Sequence, residues 1–166
     1  FTETLKATAY GGPRFLSSTT RREGSDQTPH DTIWVYGASL TQQFESASLQ
    51  FTLARDILPS GFGLLLQTDR VGVLASYNLS ESLTASLDTS GYLTSGASPR
   101  ASGGTISETR LFYSTPRITW KFSEWWSLEA SYTYQWLHLE SLAEPGTANS
   151  MMFMLTYYPP KLALSY

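Results

Sequence analysis

Between Leu83 and Leu93 the side chains alternate. Leu83, Ala85, Leu87, Thr89, Gly91 and Leu93 fall on one side, and Thr84, Ser86, Asp88, Ser90 and Tyr92 on the other. The same period of two runs from Trp126 to Trp136, where Leu128, Ala130, Tyr132 and Tyr134 oppose Ser127, Glu129, Ser131, Thr133 and Gln135. Shorter stretches repeat it at Leu5 to Tyr10, Trp34 to Thr41, Ser48 to Leu53, Val71 to Leu79 and Arg117 to Phe122. Alternation of this kind is the signature of half-buried strands. It predicts eight strands, at about 4–16, 32–44, 48–58, 68–79, 82–94, 108–122, 126–140 and 150–158, with ends uncertain by roughly 2–4 residues.

The connections alternate in length. A short polar turn recurs at Phe1-Thr2-Glu3-Thr4-Leu5, Phe44-Glu45-Ser46, Leu79-Ser80-Glu81-Ser82 and Phe122-Ser123-Glu124. Between these turns lie longer stretches rich in Gly, Pro, Ser and Asp, at 17–31, 58–69, 94–107 and 141–150. Such residues end strands for backbone reasons. The arrangement implies one all-β domain over 1–166, an antiparallel up-and-down barrel of about eight strands. Because Phe1-Thr2-Glu3-Thr4 copies an internal turn, a further upstream strand is expected, with this chain forming the C-terminal part of a larger barrel.

Composition narrows the class. Charged residues are only 15% and aromatics 14% of the chain, and there is no cysteine. Disulfides, thiolate metal sites and cysteine nucleophiles are thereby excluded. The net charge of -3 and the lack of a Lys/Arg cluster give no reason to expect a nucleic-acid partner. No apolar run approaches the roughly 20 residues of a membrane-spanning helix. Any membrane role must therefore come through strands. The first residues carry no basic start or apolar core of a signal peptide, so an exported chain is expected to be mature or truncated.

A soluble barrel also alternates, with its apolar face inward. Three features favour a membrane barrel. Several strands reach the roughly 9–11 residues that cross a bilayer. Aromatics gather at the ends of the apolar face, with Trp34 and Trp136 nearer the long loops and Phe44, Tyr77, Trp120, Phe122 and Trp126 nearer the short turns, as two interfacial girdles would. The opposite face carries Lys6, Tyr10, Arg70, Asp88, Arg117, Lys121, Glu129 and Gln135 in mid-strand, which a barrel lumen accommodates and a lipid-facing surface does not. On this reading the location is the outer membrane of a Gram-negative bacterium, and lipid is the first partner.

The stretches Phe122-Ser123-Glu124-Trp125-Trp126-Ser127-Leu128 and Thr156-Tyr157-Tyr158-Pro159-Pro160-Lys161-Leu162 resemble those of uncharacterised outer-membrane barrels linked to exopolysaccharide and exosortase (PEP-CTERM) loci. Leu162, Leu164 and Tyr166 alternate up to a terminal aromatic, which resembles the signal read by the barrel-assembly machinery. Pro159-Pro160 departs from that pattern, because proline removes ladder donors. The resemblance implies a pore, an export conduit with exopolysaccharide as cargo, or an envelope scaffold, working with other envelope or secretion components.

Candidate chemistry is sparse. His138, Glu140 and Ser141 carry the elements of a serine hydrolase site, yet their spacing enforces no nucleophile geometry. His30 with Asp26 and Asp31 lacks the three or four convergent ligands of a metal site. Glu23, Asp26, Asp31 and Asp69 are oxygen ligands of the type calcium takes, although solvated loop charges account for them. No enzyme activity, cofactor or metal is expected. The alternatives are a small outer-membrane lipid-modifying enzyme and a soluble, lipocalin-like ligand-binding barrel.

Overall fold

The computed structural model describes residues 4–17, 20–22, 25–27, 30–59, 65–96 and 107–159. The strands, in chain order, are β1 (Thr4–Ser17), β2 (Thr20–Arg22), β3 (Ser25–Gln27), β4 (His30–Gln43), β5 (Ala47–Pro59), β6 (Leu65–Asn78), β7 (Leu83–Gly96), β8 (Thr109–Lys121), β9 (Trp126–Leu139) and β10 (Gly146–Tyr157). Eight of them form one antiparallel sheet in the order β1-β4-β5-β6-β7-β8-β9-β10, and β2 with β3 makes a separate two-stranded ribbon. The all-β, up-and-down class read from the sequence is what the chain adopts.

Boundaries moved in three places. The expected loop at 17–31 contains the β2–β3 ribbon, in which Arg21 pairs with Asp26. Strand pairing in the first, second and fourth hairpins thus continues further than the turn-forming composition suggests. β6 begins at Leu65, where Leu65, Leu66 and Gln67 pair with Pro59, Leu58 and Ile57. β10 begins at Gly146, pairing from Leu137 onward, because the ladder with β9 recruits Thr147, Ala148 and Asn149 despite their weak strand preference.

The short turns explain the repeated serine. The Ser80 hydroxyl accepts hydrogen bonds from the N–H groups of Ser82 and Leu83, at 3.3 and 3.1 Å. The Ser123 hydroxyl does the same for Trp125 and Trp126, both at 3.1 Å. These side chains close the turn by standing in for a backbone acceptor. Neighbouring turns are also tied together: Asn78 N–H donates to the Ser46 carbonyl (2.7 Å), Lys121 to Ser82 (2.8 Å) and Tyr158 to Trp125 (2.7 Å).

Pro116 sits in β8, an interior strand, where a proline is unexpected. The β8–β9 pairing runs from Thr109↔Leu139 to Ser114↔Tyr134 and resumes at Arg117↔Ser131 in unchanged register. Across the interruption the Thr115 and Thr133 hydroxyls hydrogen-bond at 3.0 Å, which replaces part of what the missing N–H removes.

Candidate functional site

Every contact between elements is between ladder neighbours, so the described sheet is a single layer. Its two faces differ sharply. Along β5, Leu49, Phe51 and Leu53 are 44, 41 and 39% exposed, while Ser48, Gln50 and Thr52 between them are more sheltered. In a single layer this difference means that the sheet curls toward its polar side and presents its apolar side outward. Among the described residues the buried apolar side chains are Ala54 and Ile57.

Register places the eight candidates Lys6, Tyr10, Arg70, Asp88, Arg117, Lys121, Glu129 and Gln135 on the polar face, where Asp88 and Glu129 are half-buried and the other six are exposed. The pairing Lys6↔Thr41↔Gln50↔Leu74↔Asp88↔Thr115 forms one row. Tyr10↔Gly37↔Ala54↔Arg70↔Tyr92 forms the next but one. Arg117 and Glu129 are brought together as an ion pair at 3.2 Å. Lys6, Arg70, Asp88 and Lys121 make no ion pair among the described residues.

Between those rows the lining is small. Thr8, Ser39, Thr52, Gly72 and Ser90 are successive partners across five strands. Hydroxyls pair across strands on this face, with Thr8–Ser39 at 2.7 Å and Ser48–Ser76 at 2.8 Å. A hollow of about 260 Å³ is lined here by Gln50, Thr52, Arg70, Asp88, Ser90 and Tyr92, among others. Gly72 forms its floor: a Cβ there would lie 2.8 Å from Thr52 Oγ1 and 2.9 Å from Ser90 Oγ. Tyr92 stacks with Tyr113 beside it, centroids 6.0 Å apart and planes at 22°. At Gly37 the missing side chain is replaced by the Tyr10 ring, which would stand 2.4 Å from an added Cβ. This is the cover that an aromatic gives a glycine in a neighbouring strand.

The apolar face carries the aromatic candidates. At the short-turn end Trp126 meets Tyr157 at 4.7 Å, and Trp120 meets Phe122 at 5.5 Å. Phe44 and Tyr77 are exposed at the same end of the sheet. Trp136 stacks on His138 at 5.9 Å near the opposite end, and Trp34 is exposed there as well. His138 is thereby engaged by an aromatic ring, while Glu140 accepts a hydrogen bond from the Glu108 N–H at 3.2 Å. Among the described residues neither contacts Ser141, and no serine–histidine–carboxylate chain forms. Among the described residues no three His, Asp or Glu side chains converge as a metal site. The side chains of Glu23, Asp26, His30 and Asp31 and the tail 160–166 lie outside what the structure describes.

Sequence reasoning missed one feature of the apolar face. Arg55 and Asp69 are direct partners there and form a two-pronged ion pair, with Arg55 also 5.2 Å from the Tyr36 ring centroid. Extending the parity of Leu53 and Val71 by two residues would have located it. No protein family, curated protein or solved structure matches this chain.

Proposed function

We propose that this chain is a bacterial outer-membrane β-barrel protein whose polar face lines an aqueous conduit. The observation that carries the reading is the inversion of the faces. In the central strands large apolar side chains such as Leu49, Phe51 and Leu53 stand on the exposed side and hydroxyls such as Ser48, Thr52 and Ser90 on the sheltered side, which suits lipid outside and water within. The dimensions agree. Leu128 to Trp136 covers nine residues of β9, eight steps of roughly 3.4 Å or about 27 Å of strand. Tilted by about 40°, that is roughly 21 Å, close to the ~25 Å apolar band of such barrels. A soluble lipocalin-like barrel would need the opposite arrangement. The mixed charges and open hydroxyl rows favour passage of polar solutes over a sealed scaffold; the resemblance of the sequence suggests exopolysaccharide export as the setting.

Two measurements test this. The refolded protein should resist carbonate extraction from vesicles, and in a planar bilayer it should give stable conductance steps. Extraction into the aqueous phase would refute the membrane assignment. Insertion without conductance would leave a scaffold and remove the conduit.

A further inference from the structure

We propose that the gap between β4 and β5 at the loop end of the sheet holds an acyl chain of a phosphate-bearing membrane lipid; this rests on the membrane reading above. The β4–β5 ladder stops at Tyr36↔Arg55. Both strands run on, β4 back to His30 and β5 forward to Pro59. Each stays paired on its other side, Thr32 to Val35 with β1 and Asp56 to Pro59 with β6. The same register would set Val35 against Asp56, Trp34 against Ile57, Ile33 against Leu58 and Thr32 against Pro59, and none of these pairs forms. The two hairpins therefore part here. The backbone shows what is lost. The Ala47 carbonyl accepts from the Phe44 N–H, so the odd-numbered residues of β5 aim their backbone groups at β4. Ile57 is one of them. Its carbonyl accepts a hydrogen bond from Arg14 Nη1 of β1, at 3.0 Å, in place of a β4 donor. Pro59, the next residue of that parity, has no N–H to offer.

The side chains around the gap say what fills it. Ile33 and Val35 share the polar face with Gly37 and Ser39, Leu58 with Thr52, and Leu66 with Arg70, by strand parity. Apolar residues thus replace the hydroxyls of the middle rows, and Leu58 is 55% exposed. On the other face stand Trp34, 64% exposed, and the buried Ile57. Apolar surface therefore runs from the side assigned to lipid, through the unpaired segment, onto the polar side. A hydrocarbon chain continues that contact and takes these side chains out of water. The headgroup follows from charge and height. Arg14 is exposed and lies on the polar face in the row of Ile33. It uses one N–H on Ile57 and makes no ion pair among the described residues, not even with Asp56 on the same face. Its row is at the loop end of the sheet, the level of lipid headgroups on the membrane reading. A guanidinium with further donors suits phosphate oxygens. Chain in the gap and phosphate at Arg14 describe one lipid entering sideways from its leaflet.

A photoactivatable lipid reads the gap directly. The full chain is refolded into phosphatidylcholine vesicles containing phosphatidylglycerol with a diazirine in one acyl chain, illuminated, and its adducts are mapped by mass spectrometry. Adducts should appear on polar-face residues at the gap (Ile33, Val35, Leu58 or Leu66) and on Leu49, Phe51 and Leu53 of the apolar face, but not on Thr52 or Ser90. Adducts confined to the apolar face overturn the proposal and leave the membrane reading standing; absence from both faces overturns both. A diacylglycerol carrying the same diazirine chain has no phosphate. Measured against the apolar-face adducts of the same sample, it should label the gap residues several-fold less than phosphatidylglycerol does. Arg14→Gln keeps a donor for the Ile57 carbonyl and removes the charge, so it should erase that difference. Equal labelling of the gap by the two probes in the native chain, or a difference that persists in Arg14→Gln, overturns the assignment of lipid and headgroup to this place.

Discussion

Arg55 and Asp69 face each other across β5 and β6, with Nε–Oδ1 at 2.5 Å and Nη2–Oδ2 at 2.9 Å, on the face that carries Leu53 and Val71. A planar, two-pronged contact satisfies both charges at once and is the strong form of an ion pair. Gln67 adds a weaker contact to Asp69 at 3.4 Å. The pair marks where the apolar face gives way to the loop-side margin.

Breaking it one side at a time should cost more than removing it. Asp69→Leu strands the guanidinium and should lower stability in vesicles by about 1–3 kcal/mol, the range for a polar group left unsatisfied. The double variant Arg55→Leu/Asp69→Leu should recover most of that loss, because neither charge then remains. Denaturant unfolding in vesicles for the four proteins of the cycle measures the coupling. Additive losses would show that the two residues do not depend on each other.

The two faces should respond oppositely to charge. Leu87→Arg places a cation on the apolar face and should cost roughly 2–4 kcal/mol at mid-membrane. Thr115→Arg, on the polar face beside Asp88 in register, should be tolerated within about 1 kcal/mol, in the range of surface substitutions and the one hydroxyl bond lost. Folding yield and unfolding midpoint in vesicles read both. A tolerated Leu87→Arg would argue that this face never meets lipid.

On the membrane reading proposed above, the alternation of short and long connections sets which end of the sheet faces outside. Cysteines at Ser25 and Glu144 should label on intact cells with an impermeant maleimide, and cysteines at Ser46 and Ser80 only after the outer membrane is opened. The reverse pattern would turn the topology over.

Gly37 should not accept a side chain quietly. Gly37→Ala puts a methyl where the Tyr10 ring lies, so the ring must leave the polar face. The unfolding midpoint should fall, and Tyr10→Ser in the same chain should restore much of it. No change on Gly37→Ala alone would show that the ring does not rest there in solution.

How much of this was readable in advance depends on the range of the interaction. Period-two alternation fixed which side Lys6, Arg70 and Glu129 occupy, since a strand side chain has only two directions to point. The serines of the short turns announced themselves because a hydroxyl acts within two or three residues. What escaped is set by partners across the sheet. Gly146 to Asn149 reads as loop on its own composition, and becomes strand because Leu137 to Tyr134 offers a ladder. Arg55 and Asp69 fall within the expected strands, near their loop ends, and only register sets them opposite each other. The break in the β4–β5 ladder is likewise invisible in alternation, which reports faces and says nothing of which strands meet.

The unbroken register has an evolutionary consequence. From Thr4↔Gln43 to Tyr157↔Trp126 each pair of strands keeps one offset throughout, even past Pro116. One residue inserted between Thr109 and Pro116 would reverse every side chain after it up to the next turn, sending Arg117 and Lys121 toward the apolar side and Ile118 and Trp120 toward the polar one. Length variation among descendants of this chain should therefore collect in the connections, and any change within a strand should come in steps of two.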